Sequence, residues 1–333
     1  RSRTQRLRTP EVATTSNGAV VAWTRNGRVE TRRVSRRTGR LSLISRLSPK
    51  GRQAFGPTFV GGTVPTVLAW QLGERDPELQ IGIPRSSGAF AGTLRYPFEN
   101  LIDLDVTTTR GGGLLAAYTR RRAGDGQPEL MVAEQRPGSP RLVEIARMRE
   151  PVAPSLPVGP SVAVTDDGRT LVAWSEASPD GRGRVVVSER PRGGEFGDPV
   201  EIAAGGQPSR VSLLPKSDGT VLAAFVTTTR PSLTSPGTLR IADVRTGAVR
   251  ALTRSGERVA DYTVSLDGRG AAHFGWITGG RVIVRVVDGR EQRGARRTLS
   301  APGERVRQLA LAAGSNDVAA VWTTARAVRA SSR

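Results

Sequence analysis

One short strand returns seven times along this chain, and each time it ends on an aromatic residue. It reads Val20–Trp23, Val67–Trp70, Leu115–Tyr118, Leu171–Trp174, Leu222–Phe225, His273–Trp276 and Ala319–Trp322. Successive aromatics stand 46 to 56 residues apart. A repeat of about 50 residues that carries several strands is the mark of a β-propeller. An array of this kind grows by adding units, so 333 residues suit one large repetitive domain.

The rest of the repeat follows from the same register. Turns rich in Asn, Asp and Gly precede most of these strands, among them Ser16-Asn17-Gly18, Asp166-Asp167-Gly168, Ser217-Asp218-Gly219 and Asp267-Gly268. Such residues tolerate the positive φ of a two-residue hairpin. A first strand stands before the turn, as at Val211–Leu214 and Tyr262–Leu266. A third follows the aromatic, as at Arg28–Val34 and Arg184–Glu189, and a fourth follows another turn, as at Pro199–Ala203. The expected fold class is therefore all-β: one seven-bladed β-propeller of four-stranded antiparallel blades, a single domain over residues 1–333. The seventh repeat holds three strands before Arg333, and Arg3–Thr9 precedes the first blade. That N-terminal stretch is expected to supply the missing strand of the last blade and close the ring, because closure removes free edges. The proline-rich Glu150–Pro160 reads as a long loop between blades.

Charge and residue usage exclude several chemistries. The formal net charge is +20, and Lys50 and Lys216 are the only lysines, so arginine carries the positive charge. Codon bias in a GC-rich genome explains this, and so does selection for a polyanionic partner, since guanidinium forks bind phosphate and carboxylate. The chain has no cysteine and one histidine, His273. Thiolate zinc sites, disulfides and multi-histidine metal sites are excluded. No cofactor and no metal site is expected, and GxGxxG, Walker and GxSxG motifs are absent. No apolar run reaches the length of a membrane span.

The "DG…VAW" units, as in Asp167-Gly168 and Val172-Ala173-Trp174, resemble the repeats of sialidase-like and related β-propellers of exported bacterial proteins. The resemblance covers essentially the whole chain. It implies the propeller architecture and an extracellular or cell-envelope location, with the signal peptide outside this sequence. Sialidases also carry Asp boxes between the third and fourth strands, an arginine triad, a Tyr–Glu pair and an acid/base Asp. Here the Asp-Gly turn of Asp166–Trp174 falls between the first and second strands, and Tyr96, Tyr118 and Tyr262 stand in no matching context. No catalytic residue is carried over.

The recurrent aromatics read as filling between neighbouring blades, and His273 as a satisfied strand residue. Asp103 and Asp105, two apart on a strand, face one side together. Among the loops joining second and third strands, Gln71–Glu78, Thr119–Pro128 and Val226–Gly237 are long. Long loops on a rigid scaffold are where binding residues concentrate. The expected contact site is the rim formed by the first two, with Glu74, Asp76 and Glu78 on one loop and Arg120, Arg121 and Arg122 on the other. Replacing the three arginines by alanine is expected to leave thermal stability nearly unchanged. The functional expectation is a non-enzymatic, monomeric binding or interaction module for a protein or glycan partner. The alternatives are a glycan-acting enzyme, a hydrolase or lyase with carboxylates at the central mouth, and non-specific arginine-mediated binding of acidic polymers.

Overall fold

The computed structural model describes residues 7–15, 18–60, 67–73, 77–84, 90–148, 156–177, 182–228, 236–287, 294–314, 318–324 and 327–332. No described residue is helical, and among the described residues no helix is long and apolar enough to cross a membrane. The strands form seven antiparallel sheets, each built from consecutive strands, which is the blade pattern of a seven-bladed β-propeller. Six sheets have four strands; the last has three, Gln308–Ala313, Val318–Thr323 and Val328–Ser332. Arg1–Phe98 with Asp261–Arg333 form one compact unit, holding blades 1, 2, 6 and 7. Glu99–Ala260 form a second, holding blades 3, 4 and 5.

Inside each unit the blades are held together by the side chains of the repeated strand. All seven aromatics are buried. Between blades 3 and 4, Trp174 packs with Leu115, Ala117, Leu130, Val132 and Met148. Between blades 4 and 5, Leu171, Val187 and Ile202 meet Val221, Ala223 and Phe225. In the other unit, Trp70 lies in the core shared by blades 1 and 2, Trp23 in that of blades 7 and 1, and Trp322 in that of blades 6 and 7. For these five aromatics the contacts bear out the reading as filling between blades.

Three sequence expectations need correction. Leu7–Thr9 lies in the first strand of blade 1, Leu7–Thr15, paired to Gly18–Arg25 and not to the last blade; Arg3–Arg6 lie outside the described residues. The Glu150–Pro160 segment is not all loop, because Leu156–Val164 is the first strand of blade 4. The Asp-Gly turns are not two-residue hairpins. At Thr165–Arg169, the Gly168 N–H donates to the Thr165 carbonyl at 2.9 Å, and Gly168 then turns left-handed at φ +89°. The same type I turn and left-handed glycine recur with Gly112, Gly219 and Gly270. This three-residue loop suits the Asp that precedes the glycine: Asp218 Oδ1 accepts the Thr220 N–H at 2.9 Å.

A feature unread in the sequence aims the first strands. Each first strand of blades 1 to 5 carries one extra residue relative to its partner. In blades 1, 2 and 4 the bulge holds a proline, Pro10, Pro57 or Pro160, opposite Trp23, Trp70 and Trp174. Proline lacks the N–H that the ladder would use, so a bulge accommodates it. Gly159 in the blade 4 bulge has φ +57°, and a Cβ there would lie 2.5 Å from Arg210 Cα. Gly159→Ala is expected to cost about 1–3 kcal/mol by overpacking the contact between blades 4 and 5. A urea midpoint equal to that of the native chain would show that the close approach carries no constraint.

Candidate functional site

Blade 3 positions the three arginines singled out for binding. Its second strand is Leu114–Arg121 and its third Pro128–Gln135. Arg120 and Arg121 therefore end a strand, and only Arg122 of the triple lies in the loop. The loop is short and internally tied. Arg122 Nη2 meets Asp125 Oδ2 at 2.5 Å, and the Arg122 N–H donates to the Gln127 carbonyl at 2.7 Å. The Arg122 guanidinium, followed by the Gln127 N–H, holds the Asp125 carboxyl down at about 2.

The three arginines have separate fates. Arg120 is drawn into the blade: Nε donates to Glu129 Oε1 at 2.7 Å and Nη1 to Glu144 Oε1 at 2.5 Å. Its guanidinium also lies over the Tyr118 ring, 5.9 Å from the centroid. The Glu129 side chain is 4% exposed and meets both Arg120 and Arg147, the latter at 3.3 Å, so Arg120 is one of two cations on a buried carboxylate and its removal is expected to lower stability. Arg121 is exposed, and among the described residues its side chain makes one hydrogen bond, to the Gly126 carbonyl at 3.3 Å. Glu78 opens the third strand of blade 2 and accepts from Arg52 at 2.7 Å and from Gln80 at 3.1 Å. The Arg52 hydrogen bond lowers the Glu78 pKa against the opposing effect of burial. Glu74 and Asp76 lie outside the described residues, as do residues 229–235 of the third long loop.

A second group lies at the same end of blade 3. In its first strand, Leu101–Thr108, Leu101 pairs with Arg120 and Asp103 with Thr119. Asp103 and Asp105 face one side together, as their spacing requires. Asp105 Oδ2 accepts the Val162 N–H of blade 4 at 2.9 Å, and Asp103 accepts the Gly159 N–H. Burial raises both carboxyl pKa values, against those hydrogen bonds and the nearby charge of Arg210. The next step repeats the device with a hydroxyl: Ser161 Oγ accepts the Leu213 N–H of blade 5 at 3.1 Å. These side chains stitch first strands together across blades.

Sequence reasoning missed Tyr118 with Glu144. The two are hydrogen-bonded, a Tyr–Glu pair absent from the sequence reading. Burial first, then Glu144, pushes the phenol pKa up. Tyr118 is 2% exposed and Glu144 is 43% exposed, so the phenol reaches from the core to a carboxylate at the surface. It missed as well a glutamate beside two of the tryptophans: Trp174 Nε1 donates to Glu176 at 3.1 Å, and Trp322 Nε1 to Glu304 at 3.2 Å. The signal in blade 4 was Trp-Ser-Glu, which places the acid two residues beyond the aromatic on the same strand face. His273 has one ring nitrogen engaged: its Nε2 lies 3.0 Å from Asp267 Oδ2. Among the described residues no group of three acidic or histidine side chains could hold a metal.

No family model and no curated protein matches the chain. Solved structures do. A puromycin hydrolase is 16% identical with a TM-score of 0.62, and the match covers 98% of this chain and 52% of that one. The chain thus spans about half the length of that hydrolase. An ulvan lyase from a new family of polysaccharide lyases is 8% identical with a TM-score of 0.65, covering 98% of this chain and 93% of that one. A Hadza microbial sialidase is 11% identical with a TM-score of 0.56, covering 95% and 74%. At these identities the likeness shows the fold, which sialidase and polysaccharide lyase propellers share with this chain.

Proposed function

We propose that the chain is a non-enzymatic, exported or envelope-associated binding module, a single domain that engages an acidic protein or glycan through the blade 3 rim. The observation that carries the reading is the division of labour among the arginines. Arg120 is consumed by Glu129 and Glu144, Arg122 braces the loop, and Arg121 stands exposed on a strand end held by both. A guanidinium on a rigid support loses little freedom on binding a carboxylate or sulfate. The glycan-acting alternative has one observation on its side: Asp103 and Asp105, with raised pKa values, beside Arg210. Both carboxylates already accept backbone N–H groups from blade 4, which favours a structural use.

Immobilised heparin tests the reading as a sulfated glycan. Retention at low salt is expected to fall steeply as salt rises, because released counterions drive such binding. Arg121→Ala is expected to weaken it roughly tenfold, a loss of about 1.4 kcal/mol, with the melting temperature unchanged. Arg120→Ala is expected to lower the melting temperature instead. Equal retention by native protein and Arg121→Ala would refute the placement. Shortened heparin chains after incubation would refute the non-enzymatic reading.

A further inference from the structure

Three residues before the aromatic, the repeated strand reads Val20, Val67, Leu115, Leu171 and Leu222 in the first five blades, and His273 in blade 6. In blade 4 that residue, Leu171, is buried against Val221 and Ala223 of blade 5. The corresponding space beside His273, between blades 6 and 7, is an open cleft of about 280 Å³. Its walls include Val284, Val286, Leu299 and Leu311, with Val318 and Ala320 from the second strand of blade 7. Ser331 stands where blade 5 has Ala242, which helps to fill the same space there.

The charged side chains lining this cleft are both arginines. Arg285 and Arg297 line it alongside His273. Arg297 is exposed and has no ion-pair partner among the described residues. His273 is oriented by its bond to Asp267, whose carboxylate also accepts the Arg269 and Ala271 N–H groups at 2.9 Å. That leaves Nδ1 as the ring nitrogen without a partner among the described residues. Apolar walls with a few convergent polar groups are the usual make-up of a small-molecule site. We propose that this cleft binds an amphipathic organic anion, an aliphatic or aromatic body seated on the valine and leucine walls with its carboxylate or sulfonate toward Arg297. The site is independent of the blade 3 rim.

Decanoate below its micellar range, with decan-1-ol as the uncharged control, tests this by isothermal titration and thermal shift on the whole chain. Saturable binding of decanoate is expected, with decan-1-ol about tenfold weaker, the factor that 1.4 kcal/mol represents. Arg297→Gln is expected to bring decanoate down to the level of the alcohol and leave the alcohol unchanged. Ala320→Phe, which sets a ring among the valine and leucine walls, is expected to abolish binding of both. Val318→Trp, at the rim of the cleft, repeats that blockade should the Ala320 variant fail to fold. Absence of saturable decanoate binding overturns the proposal. So does equal affinity for acid and alcohol, an Arg297→Gln variant with undiminished decanoate affinity, or undiminished binding by the folded filling variants.

Discussion

Trp174→Ala is expected to lower the free energy of unfolding by about 3–5 kcal/mol, the cost of emptying a buried aromatic site. The indole is 2% exposed and packs in the core between blades 3 and 4. Its neighbours Leu115, Ala117 and Val132 are on blade 3, and Val162, Val172 and Val186 on blade 4, so the cavity would open between two sheets rather than within one. Sheets fixed by their own ladders relax poorly into such a gap. Truncation also strips Glu176 of the Nε1 donor at 3.1 Å. Trp174→Phe separates the two effects, since it keeps most of the ring and loses the hydrogen bond, with a cost of about 1 kcal/mol. Urea denaturation followed by circular dichroism measures both. A loss below 1 kcal/mol for the alanine variant would mean that the aromatic does not hold the blades together.

The period of these aromatics made the fold legible. A side chain that must fill the gap between blades is the same kind of residue at the same strand position each time, so the repeat shows it directly. Strand order followed as well, because consecutive antiparallel strands joined by Asp-Gly or Asn-Gly turns admit few alternatives. The turns themselves were misread in detail. Asp167-Gly168 is compatible with a two-residue loop or with a type I turn followed by a left-handed glycine, and only the register of Thr165 against Arg169 separates them.

The site was less legible, for a reason visible in Arg120, Arg121 and Arg122. Three identical neighbours in sequence have three environments, set by Glu129, Glu144 and Asp125. Glu144 lies on the fourth strand, 24 residues from Arg120, and its reach depends on the pairing of three strands. Charge counting could not anticipate that pairing. Asp103 and Asp105 were correctly placed on one face, since alternation alone decides it. Their partners, the N–H groups of Gly159 and Val162, could not be foreseen, because a bulge at Gly159-Pro160 sets which backbone groups point back. The cleft beside His273 was present in the alignment of repeats as one polar letter in an apolar column. It acquires meaning only when Leu171 is seen filling the same space in blade 4.

Arg184→Met is expected to cost about 3–5 kcal/mol, since it leaves a buried carboxylate without its counter-charge. Arg184 Nε meets Glu176 Oε2 at 2.7 Å, and the glutamate side chain is 4% exposed. The pair ends the second and third strands of blade 4, where Glu176 and Arg184 face each other in register. Trp174 Nε1 would still donate to Glu176, and one neutral hydrogen bond does not offset a buried charge. Arg122→Ala provides the contrast: its pair with Asp125 is 32% and 46% exposed, and exposed pairs are worth roughly 0–1 kcal/mol. Combining Arg184→Met with Glu176→Leu should recover most of the loss, because an apolar pair of similar volume replaces an ion pair without stranding either charge. The double-mutant cycle, read from urea midpoints, therefore carries the argument. Additive losses in the double variant would show that the two side chains act independently, and that arginine abundance in this chain has a cause other than the burial of glutamates beside the repeated aromatics.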